Sequence, residues 1–141
     1  MIGILVTGHG SFATGMISAS KLITGPNDNL AGVDFAESDS VDTLSGNLRA
    51  AMEHLGDEIL VLTDLAGGSP FKTAVALKNS IPDKHIEVIS GANLPMIISA
   101  LLESKPSLEE YAGNAMKMGT VGIQRFKKES LPQSGFKGDG I

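Results

Sequence analysis

The sequence predicts an α/β domain: an open, mainly parallel sheet of four strands with helices on both faces. Short β-rich runs alternate four times with segments whose apolar residues recur at helical spacing. The run Glu58–Thr63 (EILVLT) is almost continuously apolar, as a buried parallel strand is. Turns rich in Gly, Asn or Pro punctuate the alternation, and strand–helix–strand units connect as right-handed crossovers.

In order, Met1–Thr7 (MIGILVT) reads as the first strand. Phe12, Met16, Ala19 and Ile23 then fall at helical spacing until Gly25-Pro26 stops them. Leu30–Phe35 is a second strand. Asp39 or Ser40 caps a helix with the apolar stripe Val41, Leu44, Leu48, Ala51 and Leu55. The third strand is Glu58–Thr63. Ser69 caps the next helix, which has Pro70 in its first turn and runs to about Asn79. His85–Ile89 is the fourth strand and Asn93–Glu103 the fourth helix. Ser107 and Glu110 have the capping-box spacing and open a fifth. Val121–Lys127 (VGIQRFK) alternates apolar and polar residues and reads as an edge strand. Residues 1–128 form the domain, and 129–141, rich in Gly, Ser, Lys and Pro, read as a loose tail.

Composition bounds the function. A chain of 141 residues is long enough for one domain with a real core. It has no cysteine, so thiol and disulfide chemistry are excluded. No apolar run reaches the ~20 residues of a membrane span, and the N-terminus lacks the basic leader of a signal peptide. A cytoplasmic location is the expectation. The net charge of −5 argues against nucleic-acid binding.

Ligands of open α/β sheets bind beyond the carboxyl ends of the strands. Three features stand at such ends: His9 between Gly8 and Gly10, the stretch TDLAGGSP from Thr63 to Pro70, and SGANLP from Ser90 to Pro95. If the first and third strands are neighbours, His9 and Asp64 approach each other. A carboxylate that accepts one imidazole N–H fixes the tautomer and makes the other nitrogen the better nucleophile. Gly67, Gly68 and Ser69, opening a helix, offer backbone N–H groups and a positive dipole end to an anion. Nucleophile, orienting carboxylate and anion cradle together point to phosphoryl transfer through a phosphohistidine. No nucleotide-binding glycine motif is present, and no cofactor or metal is expected.

Each feature also has a plainer reading. His9 can be a hydrogen-bonded turn residue and Asp64 a turn cap. GGSP is an ordinary loop-to-helix junction, and Asn93 a helix start. His54 and His85 read as surface or cap residues without metal-ligand spacing. Met52, Met96, Met116 and Met118 read as core filler.

Taken together, GHGSFATG at the start, DLAGGSPF from Asp64 to Phe71 and SGANLPM from Ser90 to Met96 resemble the IIA domain of the mannose family of the bacterial phosphoenolpyruvate-dependent sugar phosphotransferase system (PTS). The resemblance runs from about Met1 to Lys127. It implies that His9 takes a phosphoryl group from the carrier protein HPr and passes it to the IIB component during sugar uptake. Asp64 would orient His9, and Ser69 would lie beside the phosphoryl group. The membrane IIC and IID components would be reached only through IIB. It also implies a parallel four-stranded sheet and a homodimer that exchanges the fifth, antiparallel strand.

Leu65-Ala66 stand where mannose-specific members often carry Thr-Trp, and Lys72 stands where Asn is frequent. Leu65-Ala66 are closer to branches that handle amino sugars such as N-acetylgalactosamine. The IIA domain does not contact the sugar, so the sequence does not name it. Two rivals remain at this stage: a phosphorylation-dependent regulatory module, and a serine hydrolase using Ser69. The first lacks an ATPase or DNA-binding segment in this chain. The second lacks the G-x-S-x-G elbow.

Overall fold

Strands without a polar side need cover on both faces, and that requirement sets the architecture. The computed structural model describes residues 1–128. Its elements are β1 (Gly3–His9), α1 (Phe12–Thr24), β2 (Leu30–Phe35), α2 (Val41–His54), β3 (Glu58–Thr63), α3 (Ser69–Ser80), β4 (His85–Ile89), α4 (Leu94–Leu102) and α5 (Leu108–Val121). The four strands are all parallel, in the order β2-β1-β3-β4.

Alternate side chains of each strand feed two separate cores. Ile4, Val6, Leu60, Leu62 and Ile89 face Ala13 of α1, Met96, Ile97 and Ala100 of α4, and Leu108, Ala112 and Ala115 of α5. Leu5, Val33, Ile59, Val61 and Ile86 face Leu44, Leu48 and Met52 of α2 and Ala74 and Leu77 of α3. Ile4, Leu5, Val6 and Ile59–Leu62 are at most 2% exposed, so β1 and β3 are sealed from water on both faces. Two central strands pinned this firmly give the loops at their carboxyl ends a rigid base.

Helix starts follow the capping residues closely. The Ser40 hydroxyl accepts the Thr43 amide at 3.0 Å, Asn93 Oδ1 accepts that of Met96 at 3.1 Å, and Ser107 Oγ that of Glu110 at 3.2 Å. Asn93 Nδ2 also donates to the Gly119 carbonyl at 2.9 Å, tying the start of α4 to the end of α5.

The structure corrects four of the expectations. β1 begins at Gly3 and includes Gly8 and His9, because pairing with β2 carries the ladder as far as His9 opposite Phe35. Gly68, not Ser69, is the N-cap of α3, and Ser69 is its first helical residue. Met52 and Met96 are core residues, but Met116 is 55% exposed. Val121–Lys127 is not a strand in this chain: α5 continues through Val121, and Gly122 and Ile123 close its end with amides donated to Met118 and Thr120. A strand needs a ladder partner, and a single copy offers this segment none. The 129–141 tail lies outside the described residues.

Candidate functional site at the carboxyl end of the sheet

From β1 the chain crosses to β2 on one side, then returns to place β3 on the other. The two crossovers leave in opposite directions, so a crevice opens above the carboxyl ends of β1 and β3. His9 is the last residue of β1, and Asp64 follows the last residue of β3.

The two side chains meet there. Asp64 Oδ2 lies 2.8 Å from His9 Nδ1 and also accepts the His9 backbone amide at 2.9 Å. One carboxylate oxygen thus holds both the main chain and the ring. The His9 side chain is 47% exposed and that of Asp64 15%, so a partner can reach the imidazole but not the carboxylate behind it.

Burial pushes the Asp64 carboxyl up. The His9 amide, the His9 ring, the charge interaction with that ring and a smaller contribution from the Leu65 amide outweigh it. Asp64 ends below its ordinary value. At neutral pH it is a carboxylate, which only accepts hydrogen bonds, so the proton of neutral His9 sits on Nδ1 and the lone pair on Nε2. Asp64 Oδ1 is buried without a well-formed hydrogen bond, and it holds negative charge next to the ring.

The loop after Asp64 brings the start of α3 against the imidazole. Gly67 has φ of +80°, which lets the chain reverse. At Gly68 any Cβ would stand 2.7 Å from His9 Cε1 and 3.4 Å from Nε2. The free nitrogen therefore lies close to the N-terminus of α3. The Gly68 amide is used within the turn, donating to the Leu65 carbonyl at 3.2 Å, and Lys72 makes the first intrahelical bond, to Gly68. Pro70 has no N–H. The amides of Ser69 and Phe71 remain without an intrahelical acceptor, and the helix dipole adds positive potential. The start of α1, also nearby, is already filled: Asp34 accepts the Thr14 amide at 3.0 Å and the Thr14 hydroxyl at 2.8 Å.

On the other flank of His9 stands Phe35, which ends β2. Its ring meets the imidazole edge to face, with centroids 6.0 Å apart and planes at 64°. Neither Phe35 nor the Asp34–Thr14 contact was singled out by the sequence. The register that pairs His9 with Phe35 is the signal that finds them, and it requires knowing that β1 and β2 are neighbours.

The third loop does not join this cluster through a side chain. Its Ala92 amide donates to the Thr63 carbonyl at 2.9 Å, while Asn93 turns to α4 and α5. His54 ends α2, and His85 begins β4 at the opposite end of the sheet. His85, Glu87 and Glu109 form the one group with metal-ligand potential among the described residues. Each member also has other contacts: His85 lies 3.6 Å from Glu58 and 3.0 Å from Glu109, and Glu87 lies 3.2 Å from Lys78.

The cluster thus combines an imidazole nitrogen with a free lone pair, a carboxylate behind the ring and a helix N-terminus in front, a set chemically able to hold an anion beside a nucleophile. The family model EIIA-man, described as PTS system fructose IIA component, matches residues 3–116. The chain belongs to this mannose-class family of PTS IIA components. It is 28% identical over 137 residues to the PTS mannose-specific EIIAB component of Escherichia coli, matching 94% of this chain but only 42% of that protein. It is 28% identical over 127 residues to the PTS fructose-specific EIIA component of Bacillus subtilis, covering 88% of this chain and 86% of that one. The crystal structure of phosphotransferase system component EIIA from Streptococcus agalactiae superposes with a TM-score of 0.84 at 33% identity, over 89% of this chain and 97% of the other. In this IIA domain no described helix is long and apolar enough to cross a membrane.

Proposed function

We propose that the chain is a phosphoryl carrier of a sugar phosphotransferase system, with His9 Nε2 as the acceptor atom. The observation that carries this reading is the 2.8 Å contact of His9 Nδ1 with Asp64, which leaves the lone pair on an exposed Nε2 near the start of α3. The lone pair of Nε2 attacks the phosphorus of phospho-HPr. The P–N bond to the donor imidazole breaks, and its electron pair returns to that ring. Asp64 keeps the Nδ1 proton in place and offsets the positive charge that gathers on the His9 ring. The Ser69 and Phe71 amides, in the Gly67-Gly68-Ser69 turn and the first helical turn after it, face the phosphoryl oxygens. The same displacement, with the IIB component as acceptor, returns His9 to its starting state.

IIB in turn serves the membrane IIC and IID components, and a cytoplasmic location follows from these partners. Relatives named for mannose, fructose and sorbose match at 26–28% identity, and on this reading the sugar is set by IIB and the membrane components. We place the protein in a homodimer. Val121, Ile123 and Phe126 are 53%, 77% and 72% exposed. An apolar groove of about 510 Å³ opens nearby between Ile23, Leu94, Pro95, Ile98, Leu102 and Met118. Packing of the 121–126 segment against a second copy would bury those side chains.

Intact mass after incubation with phosphoenolpyruvate, enzyme I and HPr tests the carrier reading. The wild type gains one phosphate that is labile in acid and stable in base, and His9→Ala gains none. A His9→Ala protein that takes up phosphate refutes the assignment. A base-labile, acid-stable adduct moves it to a hydroxyl such as that of Ser69.

A further inference from the structure

The Asp64 contact alone does not fix the imidazole. The ring can tilt about the line from Nδ1 to Asp64 Oδ2, and Nε2 lies off that line, so tilting sweeps the reactive nitrogen sideways. The strand order supplies a second point of contact. Asp64 reaches His9 from the β3 side, and Phe35 stands on the β2 side, directly opposite in the ladder. The Phe35 ring is itself held, half-buried and packed against the core formed with α2 and α3. Its backbone is fixed beyond the end of the ladder as well: the Gly10 amide donates to the Phe35 carbonyl at 2.8 Å, in a turn that Gly10 makes with φ of +59°. Gly68 stands against the Cε1 side of the ring.

We infer that Phe35 is a positioning residue: its ring, edge to face with His9, holds the imidazole plane so that Nε2 points along the line of phosphoryl transfer. The inference rests on His9 being the acceptor. Displacements of about 1 Å at a reacting atom cost up to ~100-fold in rate, and an aromatic pair contributes modestly. A loss of about 10-fold is therefore expected when the ring is removed and its apolar bulk kept.

The test compares Phe35→Leu, Phe35→Tyr and wild type for phosphate uptake from phospho-HPr, with kcat and KM resolved and thermal melting measured on each. His9→Ala runs alongside. Phe35→Leu should lose about 10-fold in kcat with KM within about twofold, and Phe35→Tyr should restore most of the rate. Wild-type kcat in Phe35→Leu overturns the inference. So does a loss confined to KM, which would make Phe35 a docking residue, and so does an equal loss in both variants accompanied by a lower melting temperature, which would make it purely structural. Failure of the carrier reading looks different: the wild type itself would take up no phosphate, or His9→Ala would.

Discussion

Gly68→Ala tests how the site holds the His9 ring. Gly68 has φ of −76° and ψ of 165°, an extended conformation that alanine adopts without strain. As an N-cap glycine is preferred over alanine, so the methyl group costs the helix about 1 kcal/mol. The methyl group, however, would stand 2.7 Å from His9 Cε1, and ordinary contact begins near 3.4 Å. Something must move by about 0.7 Å. The half-exposed imidazole is the softest neighbour, so it yields, and Nε2 moves with it while the Asp64 hydrogen bond is stretched or bent. A shift of that size at a reacting atom costs about 10- to 100-fold. The assay is the rate of label transfer from phospho-HPr to the variant, with thermal melting as control. Melting lowered by only the few degrees that the poorer cap accounts for, with an about 10- to 100-fold slower transfer, is expected. Transfer at the wild-type rate would show that His9 tolerates crowding on its Cε1 side, and the account of how the site holds the ring would fall.

The other expectations concern Asp64 and assembly. Asp64→Asn keeps the size but replaces a pure acceptor, disturbing the tautomer and the charge balance, and transfer should slow by about 100- to 10,000-fold; a wild-type rate would reduce Asp64 to a structural cap. Because the folded-state value of Asp64 lies below its ordinary 3.8, the ionised carboxylate stabilises the fold at pH above 3.8, and that stability is lost as pH falls through the lower folded value. Melting curves should therefore show a wild-type advantage over Asp64→Asn at neutral pH that shrinks toward pH 3, and an advantage independent of pH would contradict the linkage. Removal of residues 123–141, which leaves α5 whole, should turn a dimer into monomer or insoluble protein, whereas removal of 134–141 should change little. Light scattering that finds the 123–141 truncation soluble and fully dimeric would end the exchange model.

Legibility from sequence followed the range of the forces involved. β2, β3 and β4 were readable to the residue because turn formers bound them: Gly25-Pro26 and Asn27 to Asn29 before β2, Gly56 before β3, Pro82 before β4. β1 was misplaced by two residues because Gly8-His9-Gly10 has the composition of a turn. Pairing with Phe35 of β2 overrides that local preference. At 121–127 the short alternation of Val121 and Ile123 with Gly122 and Gln124 cannot distinguish a helix end from a strand, and in one copy the α5 backbone bonds prevail. The meeting of His9 and Asp64 was inferable on one condition, that β1 and β3 be neighbours, since the positions of both on their strands were visible. Phe35 needed a second adjacency, β1 with β2, and no motif announces it. Asp34 carries no signal at all until Thr14 is seen to lie above it.

The loop from Asp64 to Gly68 shows how this site can stay constant in chemistry while its partners vary. Asp64 binds the backbone and ring of His9 with one oxygen, so the contact that sets the tautomer also fastens the end of β1 to the end of β3. Gly67 and Gly68 are held to glycine by a positive φ and by the imidazole. Leu65 is different. Its carbonyl accepts the Gly68 amide and its own amide supports the Asp64 charge, yet its side chain is 59% exposed and makes no demand on the site. The structural work at that position is done by main-chain atoms that every residue but proline possesses. The Leu65 side chain is thereby free to suit whichever surface approaches His9. Side chains at 65 and 66 can therefore change without disturbing the imidazole, its carboxylate or the start of α3.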